Sequence, residues 1–246
     1  MCGDTDTQRS QMTLSKKILV YGVIPVSLSL ALIAAYFSGI DWLQQLVSPK
    51  IPNMLPDSRR EFGLLENLQN AFLMATLITA AIGVKRKPLK AEKVAMALLA
   101  AGFLFLLLEE IDYGLHYYEL IRGVPWYEAA KTRNIHNVAE TTDVMKRTCD
   151  VFLALWFVVV PLAFAESRRP LLRYLAPDRF FIITIVAMVL LSTLAHGLKD
   201  AGFGGQGTIS KNLSEFRELQ IYYVFMLYLM DLVFRRRLPD EPPKEA

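Results

Sequence analysis

Carboxylates and imidazoles gather at the edges of apolar segments in this chain. Residues 108–116 read Leu-Glu-Glu-Ile-Asp-Tyr-Gly-Leu-His. As one unbroken helix they set Glu109, Asp112 and His116 at i, i+3 and i+7, on a single face. Glu110, Tyr113 and Tyr117 then line the adjacent face. Oxygen and nitrogen donors on one face suit a divalent metal or a general acid–base pair. The plain alternative is a helix that leaves the apolar phase and turns polar in water.

Two further clusters have similar chemistry. His136 and Glu140 stand four apart, which suits two ligands on one helix. Asn137 followed by Glu140 also reads as a capping box, which would leave His136 just outside the helix and free to face a cavity. Glu66 and Asn70 share a face at i, i+4, with Asn67 and Gln69 beside them. Interhelical hydrogen bonding, worth roughly 1 kcal/mol each, is the structural alternative there. His196 closes an apolar run ahead of Lys199 and Asp200. Glu218 is a further candidate, and Asn212 with Glu215 fits a capping box.

Two apparent motifs carry no chemistry. Residues 202–207 match G-x-G-x-x-G, but follow no strand and open no βαβ unit, so they read as a turn. Asp231 and Arg235 are spaced for a local ion pair.

The elements that must position these residues are membrane helices. The chain is 53% hydrophobic with a mean hydropathy of +0.31. Apolar stretches at 18–40, 64–84, 94–110, 151–165, 180–196 and 219–234 approach the ~20 residues that cross a hydrocarbon core. The fold expected is an all-α polytopic bundle of six transmembrane helices. The third, fourth and fifth stretches are short, so each continues as helix beyond its apolar part. For the third, Gly123 and Pro125 supply the stop, which extends the helix to about Ile121. The six-span domain covers 16–237, between disordered cytoplasmic tails at 1–15 and 238–246.

Basic residues set the orientation. Lys16 and Lys17 precede the first stretch, and Lys85, Arg86, Lys87, Lys90 and Lys93 fill the loop after the second. Arg168, Arg169, Arg173 and Arg179 follow the fourth, and Arg235, Arg236 and Arg237 follow the sixth. Six spans put all four clusters on one side, which the positive-inside rule makes the cytoplasm, with both termini inside. These loops account for the pI of 8.8 without a nucleic-acid partner. The location expected is the inner (plasma) membrane of a bacterium. No cleaved signal peptide is read in the polar first fifteen residues. Cys2 and Cys149 fall on opposite sides, so they form no disulfide within one chain.

The strings Glu109-Glu110-Ile111-Asp112-Tyr113-Gly114 and Asn134-Ile135-His136-Asn137 carry a resemblance. They resemble a group of uncharacterised bacterial polytopic membrane proteins. That group has Glu-Glu-Ile-Ser-Trp-Gly-Gln after an apolar helix, then Asn-Leu-His-Asn. Glu61-Phe62-Gly63 with Glu66 is similar to the group's Glu-Asp-Gly and following Glu. The chain departs from the pattern at Asp112, Tyr113 and Leu115. The resemblance implies that Glu66, Glu109, Glu110, His136 and Asn137 act as a set; it implies no reaction. Ser192-x-x-x-His196 is similar to a fragment of the ceramidase-type intramembrane hydrolases, whose paired His-x-x-x-His is missing here.

Two functions fit these features. One is a metal-dependent hydrolase or transferase acting on a lipid or lipid-linked substrate at the outer face. Glu110, His116, His136 and His196 would hold a divalent metal such as zinc, and Glu66 or Glu109 would act as base on water that the metal acidifies. Glu66, Glu110, His136 and His196 should then converge in one outer cavity. The other is a non-catalytic subunit of a larger membrane complex, with Tyr222, Tyr223, Phe225 and Tyr228 facing a partner. A small transporter fits less well, because charged residues are missing from mid-span.

Overall fold

The computed structural model describes residues 12–49, 63–122, 139–164, 170–204, 209 and 212–236. Among the described residues every regular element is helical. The long helices are α1 (Leu14–Tyr36), α3 (Leu64–Arg86), α4 (Lys90–Glu110), α6 (residues 139–164), α8 (Phe181–Asp200) and α9 (Glu215–Phe234). Shorter ones are α2 (Asp41–Val47), α5 (Leu115–Arg122) and α7 (Pro170–Leu175). Five of these helices, α1, α3, α4, the 146–164 part of α6, and α8, are long and apolar enough to cross a membrane. The chain therefore has the build of a multi-pass membrane protein. α1 begins and ends four residues earlier than the apolar run implied. Ser38 and Gly39 stop it, with Gly39 at φ +72° and Ser38 Oγ donating to Ala35 O.

The sixth long helix has a different composition. α9 carries Glu215, Arg217, Glu218 and Asp231. It is nevertheless buried along most of its length and packs on α1, α3 and α8. A helix surrounded by protein tolerates polar groups that a lipid-facing one does not. Its aromatic side chains were expected to face a partner; they turn inward instead. Tyr222 and Tyr223 are buried, and the hydroxyls of Tyr222, Tyr223 and Tyr228 each donate to a group within the bundle.

Proline places the joints. Pro25 has no N–H, so the turn before it leaves carbonyls of α1 without their helical donor. The chain widens there into a π turn over Leu19–Val23. Thr184 of α8 donates to Tyr21 O at 2.6 Å, and Tyr223 of α9 donates to Val20 O at 2.7 Å. Neighbouring helices thus satisfy the freed carbonyls, as an apolar surround requires. A second π turn, Leu155–Val159, precedes Pro161 in α6. Lower in the bundle, Gln220 Nε2 donates to Ser29 Oγ at 2.8 Å and ties α9 to α1.

The basic end is closed by ion pairs and carbonyls. Lys17 meets Asp178 at 2.6 Å. Arg236 holds Asp231 and the carbonyls of Tyr174 and Ala176. It is a closer partner for Asp231 than Arg235, which stands at 3.9 Å. Lys87, almost wholly buried, donates to Leu232 O and Arg236 O at 2.6 Å each. That cation completes the C-terminus of α9, where helix carbonyls lack donors and the dipole is negative. It also stands 3.6 Å from the buried Glu92 carboxylate.

Candidate functional site

The opposite end collects the carboxylates. α3 starts where it does because Gly63 allows two backbones to touch. Its φ is +127°, and a Cβ there would lie 2.3 Å from Val47 O. The end of α2 therefore seats the start of α3 and fixes Glu66, which is 8% exposed. Asn70 Nδ2 donates to Glu66 Oε1 at 3.4 Å, as the i, i+4 spacing implied. Tyr117 of α5 lies close to the same carboxylate. Partial burial, and then the Glu66 charge, push its hydroxyl above the usual phenol range.

α4 breaks at Glu110, and the expected helix to Ile121 does not form. Asp112, Tyr113 and Gly114 have φ of +48°, +55° and +90°. Glycine adopts this left-handed backbone freely and aspartate tolerates it, whereas a tyrosine there costs about 1–3 kcal/mol. The chain turns, and α5 starts in a new direction at Leu115. Glu109, Asp112 and His116 therefore do not share one helical face. Glu109 and Asp112 are both buried all the same, at 3% and 5% exposure. The Tyr113 hydroxyl donates to Glu109 Oε1, and this bond raises its own pKa above the usual range.

The face expected at the end of α4 exists at the start of α9. Glu215, Glu218 and Tyr222 stand at i, i+3 and i+7 there. Tyr222 donates to Glu110 Oε1 across the bundle. Glu110, Glu215 and Glu218 all lie near enough to act electrostatically on that hydroxyl. Gln69 of α3 donates to both the carbonyl and Oε2 of Glu215, at 3.0 Å each. The Asn212 amide meets Glu215 Oε1 side chain to side chain, so the two do not form the capping box expected. Ser214 Oγ lies between Asn212 Oδ1 and Glu218 Oε1 and accepts from Lys146 of α6 at 3.1 Å. Arg217 pairs with Asp150 at 3.1 Å.

Carboxylates from α3, α4 and α9 thus sit at one end, tied by a tyrosine and two amides. Gln69 is fully buried, and among the described residues neither its Oε1 nor Asn70 Oδ1 has a hydrogen-bond partner. Buried acceptors left unmet cost free energy.

No protein-family model, no curated protein and no solved structure matches this chain. The assignment of the site therefore rests on its geometry.

Of the histidines, His196 is exposed on α8, with Nδ1 2.8 Å from Ser192 O. A carbonyl only accepts, so Nδ1 is the donor in this contact. His116 lies in α5, with its side chain outside the described set, and His136 and Asn137 lie outside the described residues altogether. Among the described residues, no three His, Cys, Asp or Glu side chains form a group that could hold a metal ion. Sequence reasoning named Gln69 beside Glu66, with interhelical hydrogen bonding as its structural reading, but not its partner on α9; it missed Tyr222 as part of this end and read Glu215 as a cap. The i, i+3, i+7 repeat of Glu215, Glu218 and Tyr222 was the available signal.

Proposed function

We propose that the chain crosses a bacterial inner membrane six times, with both termini in the cytoplasm. Its outer end then acts on a lipid or lipid-linked substrate as a hydrolase or transferase. The observation that carries this reading is the meeting of Glu110, Glu215 and Glu218 around Tyr222, with Gln69 on Glu215 and Glu66 on the same helix as Gln69, opposite the basic end. Orientation follows from the Lys17, Lys87 and Arg236 end facing the cytoplasm. Glu110 and the imidazoles of His116, His136 and His196 are the proposed ligands of a divalent metal such as zinc. When bound, such an ion acidifies water and polarises a phosphoryl or acyl oxygen. Tyr222 orients the Glu110 carboxylate, as an outer partner orients a ligand. Glu66 or Glu109 takes the proton from the attacking water.

A second reading is a non-catalytic subunit of a larger complex. Thin cover favours it: only 17% of the apolar window is buried in α4, and the same share in the 146–164 part of α6. Elemental analysis of the detergent-purified protein separates the two. The site reading expects about one equivalent of zinc or a similar ion, lost in Glu110→Gln. Metal-free protein that co-purifies with a stoichiometric membrane partner would favour the subunit.

A further inference from the structure

The two thinly covered helices enclose a groove. It lies between α4 and α6, has a volume of about 360 Å³, and is floored by α9. Leu98, Gly102 and Leu106 form one wall, Phe152 and Trp156 the other, and Phe225 part of the floor. Tyr228 also lines it, but its hydroxyl is given to Leu175 O at 2.7 Å, so no polar group is offered to the groove from that ring. The rim is continuous with the lipid-facing surface, since Leu98 is 69% and Phe152 47% exposed.

We infer that this groove binds one acyl chain of a membrane lipid and holds the chain of the substrate that the outer end works on. The inference rests on the site reading for the second part only. Three observations support it. The first is size. Leu98 to Leu106 is eight helical rises, about 12 Å of helix, so the mean cross-section is about 30 Å². An extended hydrocarbon chain fits, and the volume is within the usual range for ligand pockets.

The second observation is Gly102. A glycine inside a helix is destabilising relative to alanine. Here a Cβ would meet nothing within 4 Å, so helix packing does not require the glycine. Its effect is to keep the groove wall low. The third is register. Leu106 and Glu110 are i and i+4 on α4, and Tyr222 and Phe225 are i and i+3 on α9. The Glu110–Tyr222 bond therefore stands one turn, about 6 Å, above the outer end of the groove. A chain lying in the groove delivers its head to those carboxylates.

The test uses the full-length protein in nanodiscs of phosphatidylethanolamine and phosphatidylglycerol. A fraction of the phosphatidylethanolamine carries a mid-chain diazirine on one acyl chain. After illumination, adducts should concentrate on the peptides holding 98–106 and 152–157, above those at the lipid-facing Ile78 and Leu190. Gly102→Trp should lower groove labelling at least fivefold and leave Ile78 and Leu190 unchanged. Gly102→Leu, the milder change, should lower it about twofold in protein of unaltered elution volume. Glu110→Gln should leave groove labelling within twofold, so a failed outer site and a failed groove are distinguishable. Labelling spread evenly over all lipid-facing positions, or unchanged in both Gly102 variants, would overturn the inference. So would a covalent dimer cross-linked through this groove, because its occupant would then be a second copy.

Discussion

The two ends of the bundle handle charge in opposite ways. At the basic end the described charges are met by opposite charges or helix carbonyls: Lys17 with Asp178, Arg236 with Asp231, and the buried Lys87 with Glu92 and the last turn of α9. At the other end several carboxylates are drawn together, and the groups that bridge them between helices include a tyrosine and a glutamine. Opposite charges placed together secure helix ends. Like charges placed together work against stability and are the usual mark of a place kept for chemistry or a ligand. Substitutions at the first end should therefore cost stability, and substitutions at the second should cost function.

The largest effect is expected at Lys87. Lys87→Met removes the donor to Leu232 O and Arg236 O and leaves the buried Glu92 without its cation. Removing one partner of a buried pair costs about 3–5 kcal/mol. Thermal unfolding in detergent should show that loss, and adding Glu92→Gln should recover a large part of it. If both variants melted with the native protein, the basic end would not be the fastening described here. Next comes Gly63→Ala at the carboxylate end. Left-handed backbone and the contact with Val47 O together should cost about 2–3 kcal/mol. This is the exception that sharpens the comparison, since Gly63 seats the start of α3 and Glu66 with it. Native stability in Gly63→Ala would mean that α2 does not fix that start.

Much of the helix layout was legible, because apolar length and basic loops are strong signals. The first apolar run was placed four residues late, since Ser38 and Gly39 stop α1 while Phe37 and Ile40 keep the run apolar. The break at Asp112 was not seen. Gly123 and Pro125 looked like the stronger stop, and an aromatic at positive φ is not something residue type announces. Asp-Tyr-Gly was the hint, with two of its three residues tolerant of that backbone. The Gln69–Glu215 bond spans 146 positions, and no local spacing can signal it. Tyr222 was placed on the outside because an aromatic-rich span reads as an interface. Its neighbours Glu218 and Glu215, one and two turns back, argued for the inside.

Smaller effects should follow from single hydrogen bonds. Tyr222→Phe removes the bond to Glu110 and should cost about 1 kcal/mol of stability. Under the site reading it should lower metal retention, because Glu110 loses the group that orients it. A full loss of folding would instead make Tyr222 a structural tie like Lys87.

Glu110→Gln tests the central claim most directly. The native protein and this variant are purified in parallel, and thermal stability and bound metal are measured on the same samples. The account predicts melting unchanged or raised, by up to about 1 kcal/mol, as one charge leaves a crowded set, together with loss of the bound ion. A variant that melts several kcal/mol lower, and whose metal content equals that of the native protein, would contradict it. The carboxylate end would then be a fastening of the same kind as the basic one.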